Sequence, residues 1–176
     1  MRPREAVGSM KILFIHSNFP SQFGYFAEYL TQRGWEVSYL TQRPGSQHPD
    51  FDVVVYKNRS YGDRSGTHPF TEAVDDAIIT GSATLEVCAA LARDRGWKPD
   101  IVMAHSGWGN GMFLRSLWPD MAYVPYCEWF YHADNDDVVF FEKSKGNIAS
   151  LARSQSRNMP ILMDLSVSDA AVVPTN

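Results

Sequence analysis

The chain predicts an α/β fold built on a doubly wound parallel sheet, and three observations carry that expectation. Short apolar runs of strand length recur, among them KILFIH, EVSYLT and FDVVVY. Segments of helical period separate most of them, and such alternation calls for parallel strands joined by right-handed crossovers. Polar turns close the runs, so chemistry-bearing residues collect at strand ends, where open α/β sheets bind ligands.

Lys11–His16 reads as the first buried strand, ending in His16-Ser17-Asn18. Pro20 and Ser21 open a helix on which Phe23, Phe26, Ala27 and Leu30 fall at helical spacing, and Gly34 stops it in the position of a C-terminal cap. Glu36–Thr41 and Phe51–Tyr56 are the next strands, and Asn58–Pro69 is a polar loop. Phe70–Arg95 is a long helical segment with Leu85, Cys88, Ala89 and Ala92 on one face, closed by Gly96 and Pro99. The stretch from Pro99 to His132 is the richest. Ile101–Met103 form a strand, and His105-Ser106-Gly107-Trp108-Gly109-Asn110-Gly111 end it. Met112, Phe113, Leu114 and Leu117 suggest a short helix. Ala122–Val124 then lead into Tyr126-Cys127-Glu128-Trp129-Phe130-Tyr131, so two strand ends deliver His105, Glu128 and Tyr131 to one edge of a sheet. After His132 come an acidic loop, Asp134–Asp137, and a helical segment carrying Ile148, Leu151, Ile161, Leu162 and Leu165. Pro160 should interrupt that segment, because it removes a helical donor and crowds the preceding turn. Ala170–Val173 is a last short strand.

With 176 residues the chain fits one domain, 10–176. The first nine residues lack an apolar region, are no secretory signal, and read as an expression leader ending in Gly8-Ser9. A net charge of -4 without a long Lys/Arg run argues against nucleic acid as partner. Cys88 and Cys127, expected on a helix and a strand, have no metal spacing around them and read as reduced core thiols of a cytoplasmic protein. No apolar run approaches the roughly 20 residues that span a bilayer. An aromatic share of 13%, much of it in turns, suits a site that stacks on sugars as well as it suits structural plugs.

Several motifs fail on inspection. The turn after the first strand, SNFPSQFG, lacks the G-x-G-x-x-G fingerprint, and no P-loop occurs, which weakens nicotinamide, flavin and ATPase readings. What remains there is a helix start with backbone donors at Gln22, Phe23 and Gly24, suited to a phosphate or hydroxyl ligand or to an ordinary capped turn. Ser106 invites a hydrolase reading, but a nucleophile elbow needs glycines where Ala104 and Trp108 stand, and Ser106 is expected to cap the next helix. Asp134–Asp137 resembles a calcium loop but has Val139 and Lys145 where glycine and an acid are required. Glu128, after an apolar strand and before Trp129, is either paired and structural or a carboxylate tuned by a pocket.

In order and spacing, KILFIH, RGWEVSYLT, PDIVMAHSGWGN, YCEWFYH and DAAVVPTN resemble the amino-terminal domain of family 4 glycosyltransferases, over nearly all of Met10–Asn176. The resemblance implies a single Rossmann-like sheet, one half of a GT-B architecture. In that architecture this domain binds the acceptor, and a second domain, absent from this chain, holds the nucleotide-sugar. It further implies retention of anomeric configuration and independence of metal, with no cofactor beyond the nucleotide-sugar co-substrate. Relatives carry a glycine pair in the first turn, where this chain has Phe23 and Gly24. They often place a histidine near the end of the fifth strand, where this chain has Glu128.

The resulting site assigns Glu128 and His105 to catalysis. His16, Ser17, Asn18, Ser21, Gln22, Phe23, Gly24, Trp108, Gly109, Asn110 and Tyr131 are assigned to substrate binding, and no residue to a metal. Glu128 would orient or deprotonate the acceptor hydroxyl, or hold hydroxyls of the donor sugar. The expected partners are a sugar or glycan acceptor and the donor-binding domain, with peripheral membrane association if the acceptor is lipid-linked. Half an enzyme of this kind is expected to fold but to transfer no sugar alone. A stand-alone Rossmann- or flavodoxin-like binding module and a serine hydrolase using Ser106 and His132 are the alternatives.

Overall fold

The computed structural model describes residues 9–132 and 148–174. The expected acidic loop, Asp134–Asp137, and all of the leader except Ser9 lie outside the described residues. Five strands, β1 (Lys11–Ile15), β2 (Glu36–Thr41), β3 (Asp52–Val55), β4 (Ile101–His105) and β5 (Ala122–Tyr126), form one parallel sheet in the order β3-β2-β1-β4-β5. Helix α1 (Gly24–Thr31) follows a 3-10 turn at Ser21–Phe23, and α2 (Glu72–Arg95) is the long crossover to β4. A four-residue α3 (Leu114–Leu117) links β4 to β5, and α4 (Ile148–Ser156) and α5 (Asn158–Ser166) are the remaining helices among the described residues. The α/β class expected from the sequence is the one observed.

Strand alternation builds both faces of the core. Leu13 and Ile15 of β1 join Val102, Ala104, Tyr123, Cys88, Leu114 and Trp118 on the α2/α3 side. Ile12 and Phe14 join Phe23, Ala27, Leu30, Val37 and Tyr39 on the α1 side. Phe14 is the hub of the second face, with the Phe23 ring 5.4 Å and the Tyr39 ring 6.2 Å away. Helix α2 buries small residues, Ala77, Thr80, Gly81, Ala83 and Thr84, and at Gly81 it lies against the turn after β4, where a Cβ would stand 2.9 Å from the Gly109 carbonyl oxygen; Gly96 ends it in the left-handed conformation that an αL cap requires.

Element boundaries differ from expectation in two places and agree with it in a third. Cys127 lies one residue past β5 and is half-buried, whereas Cys88 is buried in α2 as expected; both thiols are free. Burial pushes the Cys88 thiol up to about 12. The last strand contracts to a single parallel bridge of Val172 to Tyr126, flanked by Cys127 N–H to Val172 O (2.8 Å) and Val172 N–H to Pro125 O (3.0 Å). The Asp169 carboxylate, paired with Arg115, accepts the Tyr123 N–H at 2.7 Å and holds this segment to the sheet. Pro160 does interrupt the last helical segment: the chain breaks at Arg157, and the proline takes the first turn of α5, where a missing N–H costs no helical bond. Among the described residues no helix is long and apolar enough to cross a membrane.

The turn after β4 is fitted to α2 by backbone contact. Gly109 has φ +81°, and a Cβ there would stand 1.9 Å from the Ala77 carbonyl oxygen; Gly45 has a similar φ of +73° but nothing within 4 Å. Gly45→Ala should therefore cost only its left-handed strain, roughly 1–2 kcal/mol. Gly109→Ala should cost about 3 kcal/mol or more, because backbone must also move. Urea unfolding of the two variants checks this, and equal costs would show that the turn is not clamped against α2.

Candidate functional site

The strand order determines where a site can form. After β1 the chain turns to the α1 face, and after β4 it turns to the α2/α3 face, so the carboxyl ends of these adjacent strands open a crevice. His16 lies one residue past β1, His105 ends β4, and Glu128 lies two residues past β5. The imidazoles of His16 and His105 meet edge to face at 4.8 Å, with the Trp108 ring 5.8 Å and 5.2 Å from them.

A directed run of hydrogen bonds joins these groups. The Asn18 N–H donates to His16 Nδ1 at 2.8 Å, so the neutral ring carries its proton on Nε2, which faces Ser21 Oγ at 3.1 Å. The Ser21 hydroxyl donates to Gln22 Oε1, and Gln22 Nε2 donates to Glu128 Oε2 at 3.0 Å. The same oxygen lies 3.0 Å from His105 Nε2, while His105 Nδ1 lies 3.0 Å from the Ser106 carbonyl oxygen. Both nitrogens of His105 thus face acceptors. The His105 hydrogen bond is the largest influence on the Glu128 carboxyl and, with a lesser contribution from Gln22, holds it below the usual glutamate range against desolvation, which opposes them. His16 is the reverse case: burial first, then repulsion by His105, lowers it to about 4. Glu128 Oε1 has no protein partner among the described residues and faces outward from an exposed side chain.

Beside this array lies a cleft of about 460 Å³. Ala73, Asp76, Ala77 and Thr80 of α2 form one wall. His105, Ser106, Gly107 and Trp108 form the floor, and Glu128, Trp129, Tyr131, Arg157 and Ile161 close the other side. Trp108 and Trp129 are both more than 40% exposed. Asn158 clamps the backbone of Tyr131, accepting its N–H at 2.8 Å and donating to its carbonyl at 2.7 Å.

The floor is held by Asp164, which is completely buried. Its Oδ2 accepts the Ser106 hydroxyl (2.8 Å) and the Gly107 N–H (3.2 Å), and its Oδ1 accepts the Tyr123 hydroxyl (2.8 Å). Burial raises its carboxyl above the usual aspartate range, and the three hydrogen bonds oppose that rise. Ser106 therefore does not cap the next helix as expected. The hydrolase arrangement is not formed either: the Ser106 proton goes to Asp164, and the His132 ring packs 5.3 Å from Phe130.

The sequence-assigned residues separate into groups. His16, Ser21, Gln22, His105, Trp108 and Glu128 come together at the crevice, and Tyr131 lines the cleft. Ser17 and Asn18 contribute backbone: the Ser17 carbonyl accepts from Gln42 N–H and the Thr41 hydroxyl, and that of Asn18 accepts from the Tyr39 hydroxyl. Phe23 is in the core, and Gly24 is buried where a Cβ would stand 2.6 Å from Pro20 Cβ. Gly109 lies under Ala77. Asn110, fully buried, does not line the cleft: its amide spans Tyr56 Oη and the His105 carbonyl at 3.2 Å each, which makes it a positioning residue for His105. The sequence reading missed Asp164, Arg157, Trp129 and the α2 wall. A carboxylate within the apolar run of Ile161–Leu165 was the one signal that pointed to Asp164.

A family model described as glycosyl transferase family 4 group matches residues 33–176. The chain belongs to that family. Comparison with curated proteins gave no match. Among solved structures, a sucrose-phosphate synthase from Thermosynechococcus elongatus aligns over 94% of this chain and 77% of its own, with 14% identity and a TM-score of 0.58. A putative UDP-N-acetylglucosamine 2-epimerase from Listeria monocytogenes aligns over 96% of this chain and 40% of its own (12% identity, TM-score 0.53). An Arabidopsis thaliana protein complexed with UDP aligns over 94% and 45% (14% identity, TM-score 0.51). At these identities the likeness shows a shared fold, the Rossmann-like half of GT-B glycosyltransferases, and this chain spans less than half the length of the last two.

Two outcomes test the site's construction. The depressed value of His16 means that the unfolded chain binds more protons between pH 4 and 6.5. Stability linked to His16 is therefore full above pH 6.5 and is lost as pH falls through 4, by about 3 kcal/mol. In His16→Asn this loss should disappear, which pH-dependent urea unfolding of the two proteins would read as a difference in slope. For Asp164, Asn keeps one acceptor and lets the Tyr123 hydroxyl turn to accept, so Asp164→Asn should cost about 1 kcal/mol. Asp164→Ala strands three buried donors and should cost about 3 kcal/mol or more. Equal costs in thermal or urea unfolding would remove Asp164 as the anchor of the floor.

Proposed function

We propose that this chain is the acceptor-side domain of a retaining, nucleotide-sugar-dependent glycosyltransferase, and that the cleft beside Glu128 receives the acceptor sugar. The observation that carries this reading is the Glu128 carboxylate. It is fixed through one oxygen by His105 and Gln22, has its other oxygen free of partners among the described residues, and borders a cleft floored by Trp108 and flanked by Trp129 and Tyr131. Aromatic faces suit the apolar faces of a sugar ring, and a few convergent polar groups fix its orientation.

A carboxylate held below its ordinary range is a weak base, so Glu128 acts by orientation and charge more than by removing a proton outright. Its free oxygen accepts the hydrogen bond of the acceptor hydroxyl and aims a lone pair of that hydroxyl at the sugar carbon. As the hydroxyl oxygen bonds to the sugar carbon, the bond from that carbon to the diphosphate breaks, the nucleoside diphosphate leaves with the electron pair, and the hydroxyl proton is released to it. While that proton grows more acidic its hydrogen bond to Glu128 strengthens, which favours the transition state over the ground state. His105 keeps the carboxylate in place through Nε2, while the Ser106 carbonyl and the Asn110 amide position His105. His16, neutral at ordinary pH, adds no charge to compete for the carboxylate. In this reading the nucleotide-sugar is held by a second domain facing the crevice, no metal takes part, and the reaction is cytoplasmic.

In the enzyme containing this chain, Glu128→Gln should retain the fold and lower sugar transfer by about a hundredfold or more. Transfer assays over a panel of nucleotide-sugars and acceptors, with circular dichroism to verify folding, provide the measurement. Full activity in a folded Gln variant would remove Glu128 from the reaction and favour a binding module without chemistry of its own.

A further inference from the structure

Among the described residues around the cleft, Arg64 and Arg153 are paired with carboxylates and Arg157 is not. Arg64 bridges Asp75 (2.6 Å) and Asp76 (2.8 Å), one guanidinium shared by two carboxylates of α2. Arg153 pairs with Glu72. Arg157 lines the cleft and has no carboxylate partner among the described residues; its guanidinium lies over the Tyr131 ring, 5.4 Å from the centroid. Tyr131 is itself fixed through its backbone by buried Asn158, next in sequence to Arg157. The guanidinium is thus placed by packing on Tyr131 and has no direct carboxylate partner among the described residues.

We infer that the cleft takes an acceptor bearing an anionic group, carboxylate or phosphate, which Arg157 engages while Glu128 receives the acceptor hydroxyl; this rests on the cleft being the acceptor site. A guanidinium offers a planar fork of donors that matches two oxygens of either anion, and stacking on an aromatic ring leaves the fork's edge free to do so. A neutral sugar needs no such group, since hydroxyls and aromatic faces suffice for it. The opposite charges also set direction. Glu128 repels the anionic end and Arg157 attracts it, so a ligand with a hydroxyl and an anion has one favoured orientation.

The test uses the chain as it is, with glucuronate, glucose 6-phosphate, glucose and inorganic phosphate as probes, read by the indole N–H resonances of Trp108 and Trp129. At least one anionic sugar should bind about tenfold or more tightly than glucose and than phosphate alone. In Arg157→Gln the ratio of anionic-sugar to glucose affinity should fall to about one, and Arg157→Lys should keep part of it. Absence of anionic-sugar binding, equal binding of glucose, equal binding of phosphate alone, or an unaltered preference in Arg157→Gln would each overturn the inference. The two readings fail separately. Anion selectivity lost with Arg157→Gln alongside full transfer in Glu128→Gln would leave an anion site without the proposed chemistry. Impaired transfer in Glu128→Gln without anion selectivity would keep the acceptor site and remove the anionic acceptor.

Discussion

Parallel pairing of β1 with β4 brings His16 and His105 to neighbouring strand ends, and the chain leaves those ends toward opposite faces of the sheet. Backbone from neither connection can then fill the space between them, so side chains must. The occupants are two imidazoles, an indole and, from the end of β5, a carboxylate. Gln22 reaches Glu128 across 106 positions of sequence and His105 reaches it across 23, both only because β1, β4 and β5 lie side by side. A different strand order would disperse the same residues.

The two histidines show how position decides chemistry for one residue type. His16 is buried, receives an N–H on Nδ1, and has another imidazole at its edge, so each added proton is penalised. His105 faces a carbonyl on one side and a carboxylate on the other. One ring is a neutral spacer and the other a donor that holds Glu128. Beneath them, Asp164 and Asn110 contribute no atom to the cleft yet determine where its floor stands.

What could be read in the sequence followed from local physics. Apolar runs ended where strands end, glycine and proline marked the helix limits, and strand-end placement alone was enough to join His105 with Glu128. The limits were equally physical. Asn110 in a glycine-rich turn looks like a ligand group, and only three-dimensional packing shows both ends of its amide engaged by Tyr56 and the His105 carbonyl. The sequence assigns Gly24 to substrate binding as a backbone donor at a helix start, whereas packing shows it buried against Pro20. Arg157 and the α2 wall reach the cleft through long-range packing of helices whose periodicity reports a buried face and not which neighbour that face meets.

The account depends on Glu128 being an ionised carboxylate held by His105. Carbon-13 NMR titration of the Glu128 side-chain carboxyl, in the unaltered chain and in His105→Gln, tests that claim most directly. The account predicts a midpoint below the usual 4.5 in the unaltered chain and a return toward it once His105 is replaced. A midpoint at or above 4.5 in the unaltered chain, or one indifferent to the loss of His105, would contradict it.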